Sequence, residues 1–185
     1  MCVVFRWAGW ITGAEVSNCG CSSSVGPRPG YVSGNIWVRQ GWGNSIQSVD
    51  SHHSCNRGVW AETVKLIVWD GTFHDNEADG LDFDAGTSKS VAYGNVCNNN
   101  KRHGVFLEEG ASFNTIVNNT CLYNGGAGIS EGSAAAGPTT DNAREHSARG
   151  GSGRRLCPRR WRRGVGTAHE RLCRGGVSIH ATLLA

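Results

Sequence analysis

Lysine is nearly missing from this chain of 185 residues: only three of its 18 basic residues are lysine. Proline occurs four times and methionine once. No apolar run approaches the ~20 residues that a membrane-spanning helix needs, so no membrane segment is expected. The start, Met1-Cys2-Val3-Val4-Phe5-Arg6-Trp7, has no basic region ahead of an unbroken apolar core, and no signal peptide is visible. Apolar residues nowhere recur at the helical 3.6 period, which excludes a helical bundle. Phosphate loops, nucleotide fingerprints and nucleophile triads are absent too. The eight cysteines contain no paired C-x-x-C spacing, so a zinc site at Cys19, Cys21 and Cys55 would need ligands gathered by the fold.

Charge is unevenly divided. Residues 1–133 carry 8 Lys/Arg and 12 Asp/Glu, net −4, whereas residues 134–185 carry 10 Arg and 3 acids, net +7. The overall +3 therefore describes neither part, and it does not argue for nucleic acid as a partner. In the basic part, Arg154-Arg155, Arg159-Arg160 and Arg162-Arg163 stand among glycine, alanine and proline with Trp161 as the one interleaved aromatic. Such a segment buries too little apolar surface to offset chain entropy, and disorder is expected across 134–185.

Between Asn76 and Gly132 one pattern returns three times. Asn76/Gly80, Asn100/Gly104 and Asn124/Gly128 each open a strand-like run: Leu81-Asp82-Phe83-Asp84, Val105-Phe106-Leu107-Glu108 and Ile129-Ser130. Ser54/Gly58 opens Val59-Trp60-Ala61-Glu62 in the same way, and Gly30/Gly34 opens Ile36-Trp37-Val38-Arg39 with one residue extra. A period of 22 to 24 residues with strand pattern and no helix pattern predicts a solenoid. The expected fold is all-β, a parallel β-helix of about five coils, with 1–33 as a cap or partial first coil, 34–133 as the repeats and 134–185 as the tail. An uncapped end would expose backbone and invite self-association.

Stacking turns each repeated position into a column ~4.8 Å apart. Ile36, Val59, Leu81, Val105 and Ile129 should point inward, with Val38, Ala61, Phe83 and Leu107 two residues on. Ser51, Phe73, Cys97 and Cys121 form a third inward column, in which the two cysteines are either a disulfide or two stacked thiols. Asn76, Asn100 and Asn124 should make an amide ladder.

The outward positions carry the chemistry. Trp37, Trp60, Asp82, Phe106 and Ser130 share one column, and Arg39, Glu62, Asp84 and Glu108 the next. Carboxylates at Glu62, Asp84 and Glu108, ~5 Å apart, repel one another. A hard cation such as Ca²⁺ relieves this, as does a proton kept on one acid, and so does splaying into water. Arg57, Asp79 and His103 form a further column, in which Asp79 is positioned either to orient the His103 imidazole as a proton acceptor or simply to satisfy turn groups. His52 and His74 share a column on another face, a weak metal signal.

These repeats, as in His74-Asp75-Asn76-Glu77-Ala78-Asp79-Gly80-Leu81-Asp82-Phe83-Asp84 and Asn98-Asn99-Asn100-Lys101-Arg102-His103-Gly104-Val105-Phe106-Leu107-Glu108, resemble those of right-handed parallel β-helix proteins. That group includes pectate lyases, polygalacturonases, alginate lyases and mannuronan C5-epimerases. Lys101-Arg102-His103-Gly104-Val105 is similar to the coil starts of the epimerases, although their Asp-Pro-His tract is not present. The resemblance implies an extracellular, carbohydrate-active protein that takes an acidic polysaccharide, as a lyase or epimerase abstracting a proton from a uronate. In that reading His103, Asp79, Asp82 and Arg39 are catalytic. Trp37, Trp60 and Phe106 hold sugar rings, and Glu62, Asp84 and Glu108 hold Ca²⁺. A glycan-binding solenoid without turnover is the alternative. A third is an incomplete, inactive product in which a shifted reading frame has replaced further coils by the basic tail.

Overall fold

The computed structural model describes residues 2–6, 8–19, 34–132, 143–145 and 148–149. Its strands fall coil by coil. The first coil has β1 (Val3–Arg6), β2 (Trp10–Thr12) and β3 (Glu15–Ser17). The second has β4 (Gly34–Gln47) and β5 (Asp50–His52), and the third β6 (Arg57–Trp69) and β7 (Thr72–His74). Next come β8 (Leu81–Asp84), β9 (Val91–Tyr93) and β10 (Val96–Asn98), then β11 (Val105–Leu107), β12 (Thr115–Val117) and β13 (Thr120–Leu122). β14 (Ile129–Glu131), β15 (Ala143–Glu145) and β16 (Ala148–Arg149) follow. All pairings are parallel and run between consecutive coils. The result is an all-β parallel solenoid with no helix among the described residues.

Three faces surround the core. Face 1 holds β1, the first halves of β4 and β6, and then β8, β11 and β14. Face 2 holds β2, the second halves of β4 and β6, and β9, β12 and β15. Face 3 is the six-stranded stack β3, β5, β7, β10, β13, β16.

The predicted inward columns are all present. Ile36, Val59, Leu81, Val105 and Ile129 pair in register, and each is at most 3% exposed. Val38, Ala61, Phe83 and Leu107 pack behind them, and Ser51, Phe73, Cys97 and Cys121 line face 3. Cys97 and Cys121 are free thiols, the second of the two expected arrangements.

Buried side-chain ladders hold the corners. The Asn76 amide donates to Asn100 Oδ1 at 2.9 Å, and Asn100 to Asn124 Oδ1 at 3.0 Å. Each of these amides also takes up backbone of the coil beneath, as Asn100 does with the Phe73 carbonyl at 2.9 Å. Two further ladders were not anticipated: Asn95 with Asn119, and Ser90 with Asn114. Beside the first ladder the chain passes so closely that a Cβ on Gly80 would lie 2.7 Å from the Gly104 carbonyl oxygen. The sequence column of glycines therefore marks a backbone contact, not a turn.

One expectation changes. Gly34 pairs with Arg57, so Asn35, not Gly34, lies over Gly58; the extra residue before Ile36 shifts the glycine out of its column. Beyond Ser133, β15 pairs with β12 and β16 with β13. Arg144 occupies the register position of Ile116, so no aliphatic repeat marks this coil in the sequence. The rest of the expected tail lies outside the described residues.

Candidate functional site

Strand alternation puts two outward rows on face 1. Register pairs Trp37 with Trp60, Trp60 with Asp82, Asp82 with Phe106 and Phe106 with Ser130. Arg39 pairs with Glu62 and Glu62 with Asp84. The two indoles stack with centroids 5.3 Å apart and planes 10° from parallel, the geometry that one-coil spacing imposes on equal rings. Each indole N–H donates to the acid one coil on: Trp37 Nε1 to Glu62 Oε2 at 2.6 Å, and Trp60 Nε1 to Asp84 Oδ2 at 2.9 Å. Guanidinium groups cap the pair, with Arg39 5.3 Å from the Trp37 ring and Arg57 5.0 Å from the Trp60 ring.

Where the fourth coil substitutes Asp82 for an indole, the row changes character. Asp82 is wholly buried, and Arg57 donates Nε to its Oδ2 and Nη2 to Glu108 Oε1 at 3.1 Å. Oxygens of Asp82, Asp84 and Glu108 all lie within 4.8 Å of one another. Asp82 Oδ1 is buried and has no hydrogen-bond partner. Burial raises the Asp82 carboxyl well above the usual carboxylate range; Arg57 opposes this, and the charges of Glu108, Asp79 and Asp84 add to it. The same negative field reaches Glu109, raised mainly by Asp84.

Calcium fits this donor set. Ca²⁺ takes carboxylate oxygens at about 2.3–2.6 Å, so ligand oxygens across an ion stand up to about 5 Å apart. Three carboxylates against one guanidinium leave the charge of one divalent ion, and an orphaned buried oxygen is what such an ion would satisfy. The acids brought together are Asp82, Asp84 and Glu108. Glu62, expected as the third ligand, instead accepts from Trp37 and lies 3.8 Å from Arg39. Asp82 takes its place because Arg57 draws it and Glu108 together.

Of the two arrangements expected for Asp79 and His103, the structure has the second, in which Asp79 satisfies turn groups. Asp79 is buried and accepts from the backbone N–H of His103 at 2.9 Å, so it fixes the loop and does not orient the ring. Its other oxygen faces Arg102 Nη1 at 3.1 Å as an ion pair without a directed hydrogen bond. The ring Nδ1 of His103 accepts from Ala127 N–H at 2.9 Å, which leaves the proton on Nε2. Burial lowers the His103 pKa; the Asp79 charge opposes this and the smaller effect of Arg102 adds to it, in keeping with a neutral ring. His103 is thus a donor at Nε2, not the expected acceptor.

Phe106 is covered. The ring is 7% exposed, with the Arg102 guanidinium 5.0 Å and the His103 ring 4.8 Å away, so it offers no platform to a sugar. Arg39 sits three coils from His103, ~14 Å at the strand spacing, too far to share one sugar carboxylate with it. Arg57 has the position Arg39 was expected to fill, and its place in the column with Asp79 and His103 was the signal for it. On face 3, His52 and His74 stack at 5.0 Å, and their Nε2 atoms meet Glu15 and Asp50 at 3.0 Å.

No curated protein matches the sequence. Among solved structures, the A-module of a mannuronan C-5 epimerase from Azotobacter vinelandii superposes with a TM-score of 0.38 and 17% identity, over 62% of this chain. The chain spans 40% of that protein's length. The family described as "Right handed beta helix region" matches residues 4–151, which takes in every coil described above, and the chain belongs to that family.

Proposed function

We propose that the protein binds an acidic polysaccharide across face 1, with a divalent cation, Ca²⁺, held by Asp82, Asp84 and Glu108. One observation carries this reading. A stacked indole pair adjoins a net-negative carboxylate cluster whose central member, Asp82, has a buried oxygen without a partner. With their faces taken up by each other and by Arg39 and Arg57, Trp37 and Trp60 offer the apolar outer edges of two indoles one coil apart, against which the C–H groups of a sugar ring can pack. When bound, the ion supplies positive charge to a uronate carboxylate. Arg57 holds Asp82 and Glu108 at their spacing, and His103 adds an N–H donor one coil further along. We place the protein outside the cell, a reading supported by the Cys2–Cys19 disulfide.

A second reading, turnover by proton transfer at the uronate in the manner of a lyase or epimerase, is favoured by Asp82 itself. A carboxyl whose pKa burial raises holds its proton to higher pH than an ordinary one and can donate it, and that proton competes with the cation for the same oxygen. The test is a panel of polyuronates offered to the full chain with and without chelator, scored for binding and for unsaturated or epimerised product. Binding that chelator removes, without product, supports the first reading. Product that falls by about 10² or more in Asp82→Asn supports the second. A chain that binds no polyuronate contradicts both.

A further inference from the structure

A second site lies where face 1 turns into face 2. Strands β4 and β6 stay in register to Gly41 and Val64, then resume at Asn44 and Leu66, so β4 takes three steps where β6 takes two. The extra residue is a β-bulge, a device that re-aims a side chain and frequently lies beside sites. Gly41 (φ 126°) and Gly43 (φ 81°) flank Trp42 in backbone conformations that favour glycine. A Cβ on Gly43 would meet nothing, so the conformation rather than crowding requires glycine there. The outcome of this local irregularity is an indole 73% exposed, the reverse of what burial of apolar surface favours.

Beside the indole opens a cavity of about 140 Å³, bordered by Trp42, Thr63, Lys65, Gly86 and Ser88. That is the room of about five waters, suited to a single sugar ring resting partly in solvent. Gly86, with φ 77° and open space where its Cβ would stand, leaves the floor free of side chain. Lys65 is exposed and makes no ion pair or hydrogen bond among the described residues, whereas Arg39, Arg57, Arg102 and Lys101 are all paired with acids. Along the chain the cavity follows directly on the acid row: Thr63 comes after Glu62, and Gly86 lies two residues beyond Asp84.

We propose that this corner is a subsite for one acidic sugar ring. The Trp42 indole packs on the ring's C–H face, the Lys65 ammonium meets its carboxylate, and the Ser88 hydroxyl is within the same cavity for a ring hydroxyl. The site rests on the reading of face 1 as a surface for an acidic polysaccharide, and extends that surface by one ring past the carboxylate row.

The test is calorimetric titration of the full chain with oligouronates of defined length and with a neutral oligosaccharide of equal length. Trp42→Ala and Lys65→Gln should each weaken oligouronate binding by about tenfold, with Lys65→Arg within about threefold of the parent. Thermal midpoints of all three should match the parent, since both side chains are exposed. If the parent binds oligouronates and both Trp42→Ala and Lys65→Gln bind as well as it does, the subsite is overturned and face 1 stands. If the neutral oligosaccharide binds as tightly and Lys65→Gln changes nothing, the acidic-sugar assignment is overturned. A parent that binds no oligouronate removes the face 1 reading, and the subsite with it.

Discussion

The asparagine corner and the outer row of face 1 run along the same coils but obey opposite rules. At the corner, Asn76, Asn100 and Asn124 repeat one residue with one bonding pattern in each coil. On the outer row Trp37, Trp60, Asp82, Phe106 and Ser130 change at nearly every step. A repeated residue satisfies a need that each coil has, namely buried backbone that must find hydrogen bonds. A row that varies answers no such need, so its contents are set by something outside the stack. Repetition marks what holds the solenoid up, and departure from repetition marks what it presents.

That contrast is sharpest in stability. Asn100→Ala should cost about 3 kcal/mol or more in a denaturant titration, because it takes an acceptor from the Asn76 amide and a donor from both the Asn124 side-chain oxygen and the Phe73 carbonyl at once. Gly104→Ala should follow at about 1–3 kcal/mol, since its Cβ would meet the Gly128 oxygen at 2.6 Å and Cys121 Cβ at 3.0 Å. If either proved neutral, the corner would not be the framework that the comparison makes it.

Asp82→Asn acts next, and through pH. The native carboxyl of Asp82 titrates above its unfolded value of about 3.9, so the folded state holds more protons and stability declines as pH rises from there through the native pKa. The variant cannot ionise, so its stability curve should be flatter across that window than the parent's. Parallel curves would show that Asp82 ionises at its ordinary pH.

Trp60→Ala should be milder for the fold, about 1 kcal/mol, through loss of its stacking on Trp37 and its hydrogen bond to Asp84, while polyuronate binding drops about tenfold. Smallest of all, Cys97 and Cys121 should resist alkylation in the native chain and react only on unfolding. Both are fully buried, and the hydrogen bond to Cys121, with burial, pushes the Cys97 thiol well up.

The same division explains what could be read in advance. Ile36 to Ile129, the three-rung asparagine ladder and the Ser51 to Cys121 column were legible because each is periodic, and period is what a sequence displays. Asn95 with Asn119 is periodic too, but two rungs make a weak signal in the sequence. Arg57 illustrates the remainder. Its column position is visible in the sequence, but not that its guanidinium reaches across two coils to Glu108, so the sequence alone places the carboxylate set at Glu62, Asp84 and Glu108. The reversal at His103 came from Ala127, a backbone donor that no side-chain pattern announces. Trp42 had one local sign, glycine on either side, whose meaning depended on the bulge beneath it.

Titration of Ca²⁺ into the parent, Asp82→Asn and Glu62→Gln chains, in buffers that differ in ionisation heat, examines the carboxylate cluster most directly. One ion should bind the parent with release of a proton, as the metal displaces it from Asp82. Glu62→Gln should bind the same way, and Asp82→Asn should bind weakly with no proton released. Loss of the ion in Glu62→Gln with retention in Asp82→Asn, or an absence of binding in the parent, would contradict the account.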